Sequence, residues 1–463
     1  MSNHIKLCDI RDFVVSSKPT VNITEDDTYD MIETCGLIIH DYVHMDPLKF
    51  ATPSFHDDLK NECFELLTQQ LTNIHIENMD DVLSKIVERA HTIYFSKILP
   101  LRSFPYTFIR KLPNIEATKK KIETLRNIVQ PEQRTTEWYN FRYNLITASN
   151  AYKALESQSS QNSLIYEKCS PLNVEKYDHV NTETPFHWGQ KYEPISILIY
   201  ENRYHTKIED FGCIQDPNHT FLGASPDGIN VDDTSDVYGR MLEVKNIVNR
   251  EITGIPKREY WCQTQIQMGV CNLNECDFLE TRFIEYESEE EFNNDGTFQL
   301  TADNKQKGIF MYFLHNGKII YEYPQMNISR EEFNKWEEEM MTKHENKMWV
   351  KNIYWKLDQL SCVLILRNKL WFQEAVQKFE EIWKTIEYER IHGYEHRAPT
   401  KREKKEKPSV VVALENSECL LNTNRILHIQ SPKRNERTQS FDNTPIIITK
   451  IRSLSLDETK LNN

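Results

Sequence analysis

Two short stretches carry residues whose types and spacing suit catalysis: Phe221-Leu-Gly-Ala-Ser-Pro-Asp-Gly228 and Met241-Leu-Glu-Val-Lys245. Glu243 and Lys245 stand two apart in an apolar, strand-like run, so both project from one face while Leu242 and Val244 face a core. Asp227 ends an extended run at a Pro-Asp-Gly turn. Two strands joined by a loop over 232–239 place Asp227 against Glu243. Two carboxylates and a lysine make a site for a hard divalent cation, which takes oxygen ligands. The lysine beside it can hold or activate a water. E-x-K by itself carries little information, because Glu345-Asn-Lys347 and Glu403-Lys-Lys405 repeat the spacing. An isolated pair of this kind reads more readily as an ordinary ion pair on a strand.

The pair has company. Upstream, Trp188-Gly-Gln-Lys-Tyr-Glu-Pro194 opens a helical segment running to about Tyr204, with Glu193 in its first turn. A third carboxylate on a helix packed against the sheet completes a ligand set. Downstream, Glu259-Tyr-Trp-Cys-Gln-Thr-Gln-Ile-Gln-Met268 places Gln263 and Gln267 at i, i+4 on one helix face, with Tyr260 one turn earlier. Amides there can bind a phosphate or a water. Further upstream, Glu137-Trp-Tyr-Asn-Phe-Arg-Tyr-Asn-Leu-Ile-Thr-Ala-Ser149 offers Arg142 and the hydroxyls of Thr147 and Ser149. A guanidinium fork with donors near a helix start suits a phosphate. The structural alternatives are a surface ion pair for Arg142 and an N-cap for Ser149.

The order of these blocks resembles the YqaJ-like viral recombinases, the lambda exonuclease branch of the PD-(D/E)xK nucleases. The blocks are W-x-x-x-R-x-x-x-I-T-A-S, G-x-x-x-E-P, G-A-S-P-D-G, E-V-K and Y-W-x-Q-x-Q, over about residues 137 to 286. The resemblance implies an α/β fold with a PD-(D/E)xK nuclease core, a central mixed sheet flanked by helices. It implies Mg²⁺-dependent phosphodiester hydrolysis, with one or two ions and Mn²⁺ as a substitute, most simply 5′-to-3′ digestion of duplex DNA ends in viral recombination, repair or genome processing. By motif position Glu193, Asp227, Glu243 and the Val244 carbonyl are the metal ligands. Lys245 orients the attacking water, Gln263 and its aromatic partner Tyr260 complete the site, and Arg142, Thr147 and Ser149 meet the terminal 5′-phosphate. A single-strand annealing protein and a homo-oligomer are the partners implied besides free-ended DNA. A structure-selective endonuclease or RNase on the same core, and a non-catalytic DNA-binding protein keeping the fold, are the competing expectations.

Four regions position these residues. Residues 1–115 are expected to be mostly helical, from the three-and-four spacing of His56–Leu71 and Met79–Ile98. Residues 116–325 form the nuclease core, entered through a charged helix over Lys119–Ile128, with an irregular insertion from Ser157 to Pro185. Near its end, runs around Asn316-Gly317 predict a β-hairpin. Residues 326–395 are expected to be helical, opened by a Ser329/Glu332 capping box and packed through Trp336, Trp349, Trp355, Trp371 and Trp383. Residues 396–463 read as a polar, basic, disordered tail.

Composition sets limits. The 463 residues carry a net charge of −14, which argues against a generally basic nucleic-acid-binding surface, although a local basic groove remains compatible with it. Residues 396–463 hold thirteen basic and eight acidic residues, so the charge is unevenly spread. Ten cysteines without a C-x-x-C pair read as reduced thiols, with neither a disulfide framework nor a zinc ribbon. With no apolar run of membrane-spanning length and no apolar leader, an intracellular protein is expected, in the host cytoplasm, a virion or the nucleus. Two histidine pairs mimic zinc peptidase motifs. His392-Gly-Tyr-Glu-His396 contains a glycine and abuts Pro399, and His40-Asp-Tyr-Val-His44 has an aspartate where the motif needs glutamate. Both read as structural.

Overall fold

The computed structural model describes residues 23–72, 76–105, 114–133, 135–172 and 185–399. Helices α1 (Glu25–Met45), α2 (Phe55–Gln70) and α3 (Met79–Lys97) form the expected N-terminal bundle. A reciprocal capping box between Thr24 and Asp27 starts α1 and satisfies two of its orphan amides. The bundle is not a separate core. Its buried face, including Ile39, Phe50, Phe55 and Phe95, is continuous with Trp261 and Phe278 of the main body. The rings of Phe50 and Trp261 lie 5.6 Å apart. Arg102 reinforces the join: its guanidinium donates to the carbonyls of Ala51 and Pro256, and its own carbonyl accepts from the Trp261 indole at 2.7 Å.

The chain continues through α4 (Ile115–Arg126), α5 (Thr136–Tyr143), β1 (Ile146–Thr147), α6 (Ala148–Ala151), α7 (Gln158–Cys169) and α8 (Pro185–Tyr204). Strands β2 (Ile208–Glu209), β3 (Ile214–Gln215), β4 (Leu222–Ala224), β5 (Gly228–Asn230) and β6 (Met241–Asn246) follow. Helix α9 (Arg258–Val270) then leads to β7 (Glu275–Glu285), α10 (Glu289–Asn294), β8 (Lys307–His315) and β9 (Lys318–Glu322). The last elements are α11 (Arg330–Lys343), β10 (Met348–Leu366) and α12 (Lys369–His392).

The fold is mixed α/β. A seven-stranded sheet runs β2-β5-β6-β7-β10-β8-β9, beside a three-stranded sheet β1-β4-β3. Among the described residues the β6–β7 pair is the parallel one of the larger sheet, and α9 supplies the crossover that parallel neighbours require. Buried Arg240 fixes the start of β6 against β7 by pairing with Asp277 at 3.2 Å and Glu275 at 3.1 Å. Among the described residues no helix is long and apolar enough to cross a membrane.

Two expected elements differ. Trp349 and Trp355 lie in β10, not in a helix. Ile353 and Trp355 alternate inward, Val363 to Leu366 are buried on both faces, and β10 pairs with β7 and β8 over its length. β-Branched and aromatic residues between two partner strands favour extension over helix. The region 326–395 is therefore helical only at α11 and α12, and it contributes a strand to the central sheet. The first part of the stretch from Ser157 is not irregular either: α7 buries Leu164, Ile165, Lys168 and Cys169 on one face, a periodicity that its Ser/Gln-rich start obscured, while residues 173–184 lie outside the described residues. The hairpin at Asn316-Gly317 is as expected, with φ of 51° and 75° in the type I′ pattern. So is the Ser329/Glu332 capping box. The expected tail begins in a short 3₁₀ turn over Glu395–Arg397, and from residue 400 it lies outside the described residues, as do residues 1–22 of the N-terminal region.

Candidate active site

Strands β5 and β6 pair antiparallel with Gly228 opposite Leu242. One step further in that register brings Asp227 opposite Glu243, as the turn chemistry predicted. Gly228 is required here because a Cβ would lie 2.1 Å from the Ile208 side chain of β2. Asp227 is anchored by the Val244 amide, which donates to its carboxylate at 2.7 Å.

Glu243 is 0% exposed. Its carboxylate accepts from the Lys245 ammonium, from Gln263 Nε2 at 2.6 Å and from Gln267 Nε2 at 2.7 Å. The i, i+4 spacing on α9 thus aims both amides at one buried carboxylate, whose oxygens need such donors in a dry site. Burial, then Glu243, then Glu193 push the Asp227 carboxyl well above the usual carboxylate range, with Lys245 and the Val244 amide opposing. Although burial disfavours its charge, the carboxylates of Glu243 and Asp227 hold the Lys245 ammonium above the ordinary lysine range. That ammonium also lies 5.3 Å from the Tyr260 ring centre, and Arg250 approaches the same ring at 5.5 Å.

Glu193 projects from α8 and acts electrostatically on Asp227. A polar knot holds this helix against the sheet: Ser196 donates to Asn246 Oδ1 at 2.7 Å, Thr281 donates to the same oxygen at 2.7 Å, and Asn246 Nδ2 donates to the Gly189 carbonyl at 3.0 Å. Sequence reasoning missed Ser196, Asn246 and Thr281. Their signal was a polar residue directly after Lys245 and another three places after Glu193.

The Arg142 block occupies the neighbouring elements. Arg142 Nη1 donates to Ser225 Oγ at 3.0 Å, and its guanidinium lies 4.7 Å from the Trp138 ring centre. Ser225 was quoted in the motif but given no role. Its carbonyl accepts from Gln267 Nε2 at 3.2 Å, so one amide spans the Arg142–Ser225 pair and Glu243. Parallel pairing of β1 with β4 sets Thr147 opposite Gly223, two residues from Ser225. The N-cap of α6 is Thr147 in a box with Asn150, not Ser149. Ser149 Oγ meets Thr147 Oγ1 at 3.3 Å.

Among the described residues no three His, Cys, Asp or Glu side chains converge as a ready metal cage. Glu243 is turned to Lys245 and the two glutamine amides instead. The donor chemistry nonetheless fits a hard cation: Glu193, Asp227 and Glu243 offer only oxygens, and the repulsion that raises Asp227 is what a cation relieves. The histidine pairs stay structural. His392 Nδ1 bonds the Tyr388 carbonyl at 2.9 Å, and His44 Nδ1 bonds the His40 carbonyl at 2.8 Å.

Residues 137–274 match the family described as the YqaJ-like viral recombinase domain. Over that stretch the chain is similar to the class that the motif order implied. The chain is also similar to uncharacterized protein R354 of Acanthamoeba polyphaga mimivirus, with 30% identity over 316 residues, 59% of this chain and 56% of that protein. It thus spans about half the length of this curated relative. Two solved structures of the alkaline exonuclease LHK-Exo from Laribacter hongkongensis, one in complex with dAMP, share 17% and 18% identity. Each match covers 56% of this chain and 95% of that one, with a TM-score of 0.33.

Proposed function

We propose that this protein is a divalent-metal-dependent deoxyribonuclease that shortens duplex DNA from its ends in viral recombination or genome processing, removing one strand 5′ to 3′. The observation that carries the proposal is the joining of two sites by one residue. Gln267 ties Glu243, among the clustered carboxylates, to Ser225, the partner of Arg142. A terminal phosphate at Arg142 then sets a fixed offset to the scissile bond, which is what end-directed digestion needs.

Glu193, Asp227, Glu243 and the Val244 carbonyl would hold Mg²⁺, or Mn²⁺ in its place. An ion bound there would lower the pKa of a coordinated water and neutralise charge developing at phosphorus. Lys245, whose ammonium the neighbouring carboxylates favour, would donate a hydrogen bond to the attacking water or to a phosphoryl oxygen. Gln263 and Gln267 orient Glu243, and Tyr260 flanks the lysine. The Arg142 fork and the Ser225 hydroxyl, with Thr147 and Ser149 close by in register, bind the 5′-phosphate. A single-strand annealing protein and further copies of this chain are the proposed partners.

The test uses linear duplex DNA with 5′-phosphate or 5′-hydroxyl ends, labelled separately at each terminus, alongside a closed circle, in Mg²⁺ and in EDTA. Mg²⁺-dependent release of 5′ label with the circle intact is expected. Cutting of the circle establishes the endonuclease alternative. Inertness on duplex, single strands and RNA overturns the nuclease reading and favours the binding-protein alternative.

A further inference from the structure

Arg142 sits in the last turn of α5, and that end of the helix is gripped from outside. Lys168 of α7, only 5% exposed, donates to the Arg142 carbonyl at 2.9 Å. Arg390 of α12 then locks both helices with one fork. Its Nε donates to the Lys168 carbonyl at 2.9 Å, its Nη2 to the Tyr143 carbonyl at 3.0 Å and its Nη1 to Asn144 Oδ1 at 3.1 Å. The same guanidinium lies 4.4 Å from the Tyr143 ring centre and 5.3 Å from that of Trp383. Carbonyls at a helix C-terminus lack intrahelical donors and carry partial negative charge, so cations there are favourable. Three acceptors around one planar group require an arginine, because an ammonium cannot span them in fixed directions.

Arg390 lies well beyond residues 137–274, the stretch matched to the YqaJ-like domain. We infer that Arg390 and Lys168 are positioning residues for recognition of the 5′-phosphate: they hold the end of α5 so that the Arg142 fork meets Ser225. The C-terminal helix α12 is thereby a working part of the DNA-end site. This rests on the terminal-phosphate role given to Arg142 above. A displaced binding group a bond length out of register typically costs up to about a hundredfold in rate, so a loosened α5 gives a readable effect.

The experiment compares kcat/KM on 5′-phosphate and 5′-hydroxyl duplex ends for the wild type, Arg142→Ala, Arg390→Lys and Lys168→Met, with a thermal melt of each. The ratio for the two ends is expected to fall about tenfold or more in all three variants. The loss appears in KM on phosphorylated ends. Arg390→Lys keeps the charge and the aliphatic stem, so retention of the ratio there shows that charge alone matters and overturns the clamp. Lys168→Met gives an independent arm should Arg390→Lys fold poorly, and full selectivity in a folded Lys168→Met protein overturns the clamp as well. A wild type indifferent to the 5′-phosphate instead overturns the role of Arg142, and the clamp with it. A discriminating wild type whose selectivity survives only in the clamp variants isolates the failure to the clamp.

Discussion

Asp227→Asn should make the metal-free protein more stable while destroying its activity. Asp227 is raised far above its ordinary pKa by burial and by two neighbouring carboxylates. Holding such a group at pH 7 costs at most about 4 kcal/mol, the span from an ordinary carboxylate pKa to pH 7 at 1.36 kcal/mol per unit, since beyond that the group simply binds a proton. Asparagine keeps an oxygen for the Val244 amide and removes the charge. Its buried NH₂ gives back about 1–3 kcal/mol if left without an acceptor. The expected net gain is therefore at most about 1–3 kcal/mol, read as a melting temperature up to a few degrees above wild type in EDTA at pH 7. Magnesium should reverse the order, because a ligand at a hundred times its Kd adds about 2.7 kcal/mol to the protein that binds it. The assay is a paired set of melts in EDTA and Mg²⁺ with the digestion assay on the same samples. An Asp227→Asn protein that melts below wild type in EDTA, or that cleaves DNA, refutes the reasoning.

Four further outcomes are expected. Lys245→Met leaves Glu243 buried without its cation and should cost about 3–5 kcal/mol and abolish cleavage; wild-type stability in denaturant titration would contradict the pairing. Gln267→Leu removes a donor from Glu243 and from the Ser225 carbonyl, and should cost about 1–3 kcal/mol and lower both cleavage and preference for phosphorylated ends. Arg142→Ala should slow phosphorylated ends selectively and flatten the salt dependence of binding, so an equal effect on both ends excludes its role as a phosphate fork. Acid should loosen the N-terminal bundle. Burial, foremost, lowers His56 to about 3 and His91 to about 4. Because the Arg102 amide donates to His56 Nε2, His56 carries its proton on Nδ1 and donates it to His91 Nε2. Both rings are neutral when folded, so their contribution is complete above pH 6.5 and is lost as pH falls towards 3. The loss by pH 5 is about 2 kcal/mol per histidine, and His56→Gln should flatten that limb of the pH–stability curve.

Much of the site was legible because its chemistry is local. A strand's two-residue period puts Glu243 and Lys245 on one face, and a Pro-Asp-Gly turn ends a strand, so the meeting of Asp227 with Glu243 follows from one hairpin. The helical spacing of Gln263 and Gln267 likewise defines one face, though not what that face meets. It meets Glu243, and a free phosphate or water was the expectation. The errors arose where partners distant in sequence decide. Met348–Leu366 has aromatic and aliphatic residues that serve a helix or a strand, and only β7 and β8 on either side make extension the better choice.

The sequence alone determined the residue types, the two hairpins, the capped helices and the family resemblance of residues 137–274, since each depends on neighbours within a few positions or on motif order. Tertiary structure decided what long-range packing controls. It merged the N-terminal bundle with the main core, sent β10 into the sheet, gave Ser225 to Arg142, and brought Arg390 to the end of α5 across 247 positions of chain. Side-chain periodicity says which face of an element is buried. Which other element covers that face is settled only when the whole chain has closed around a common core.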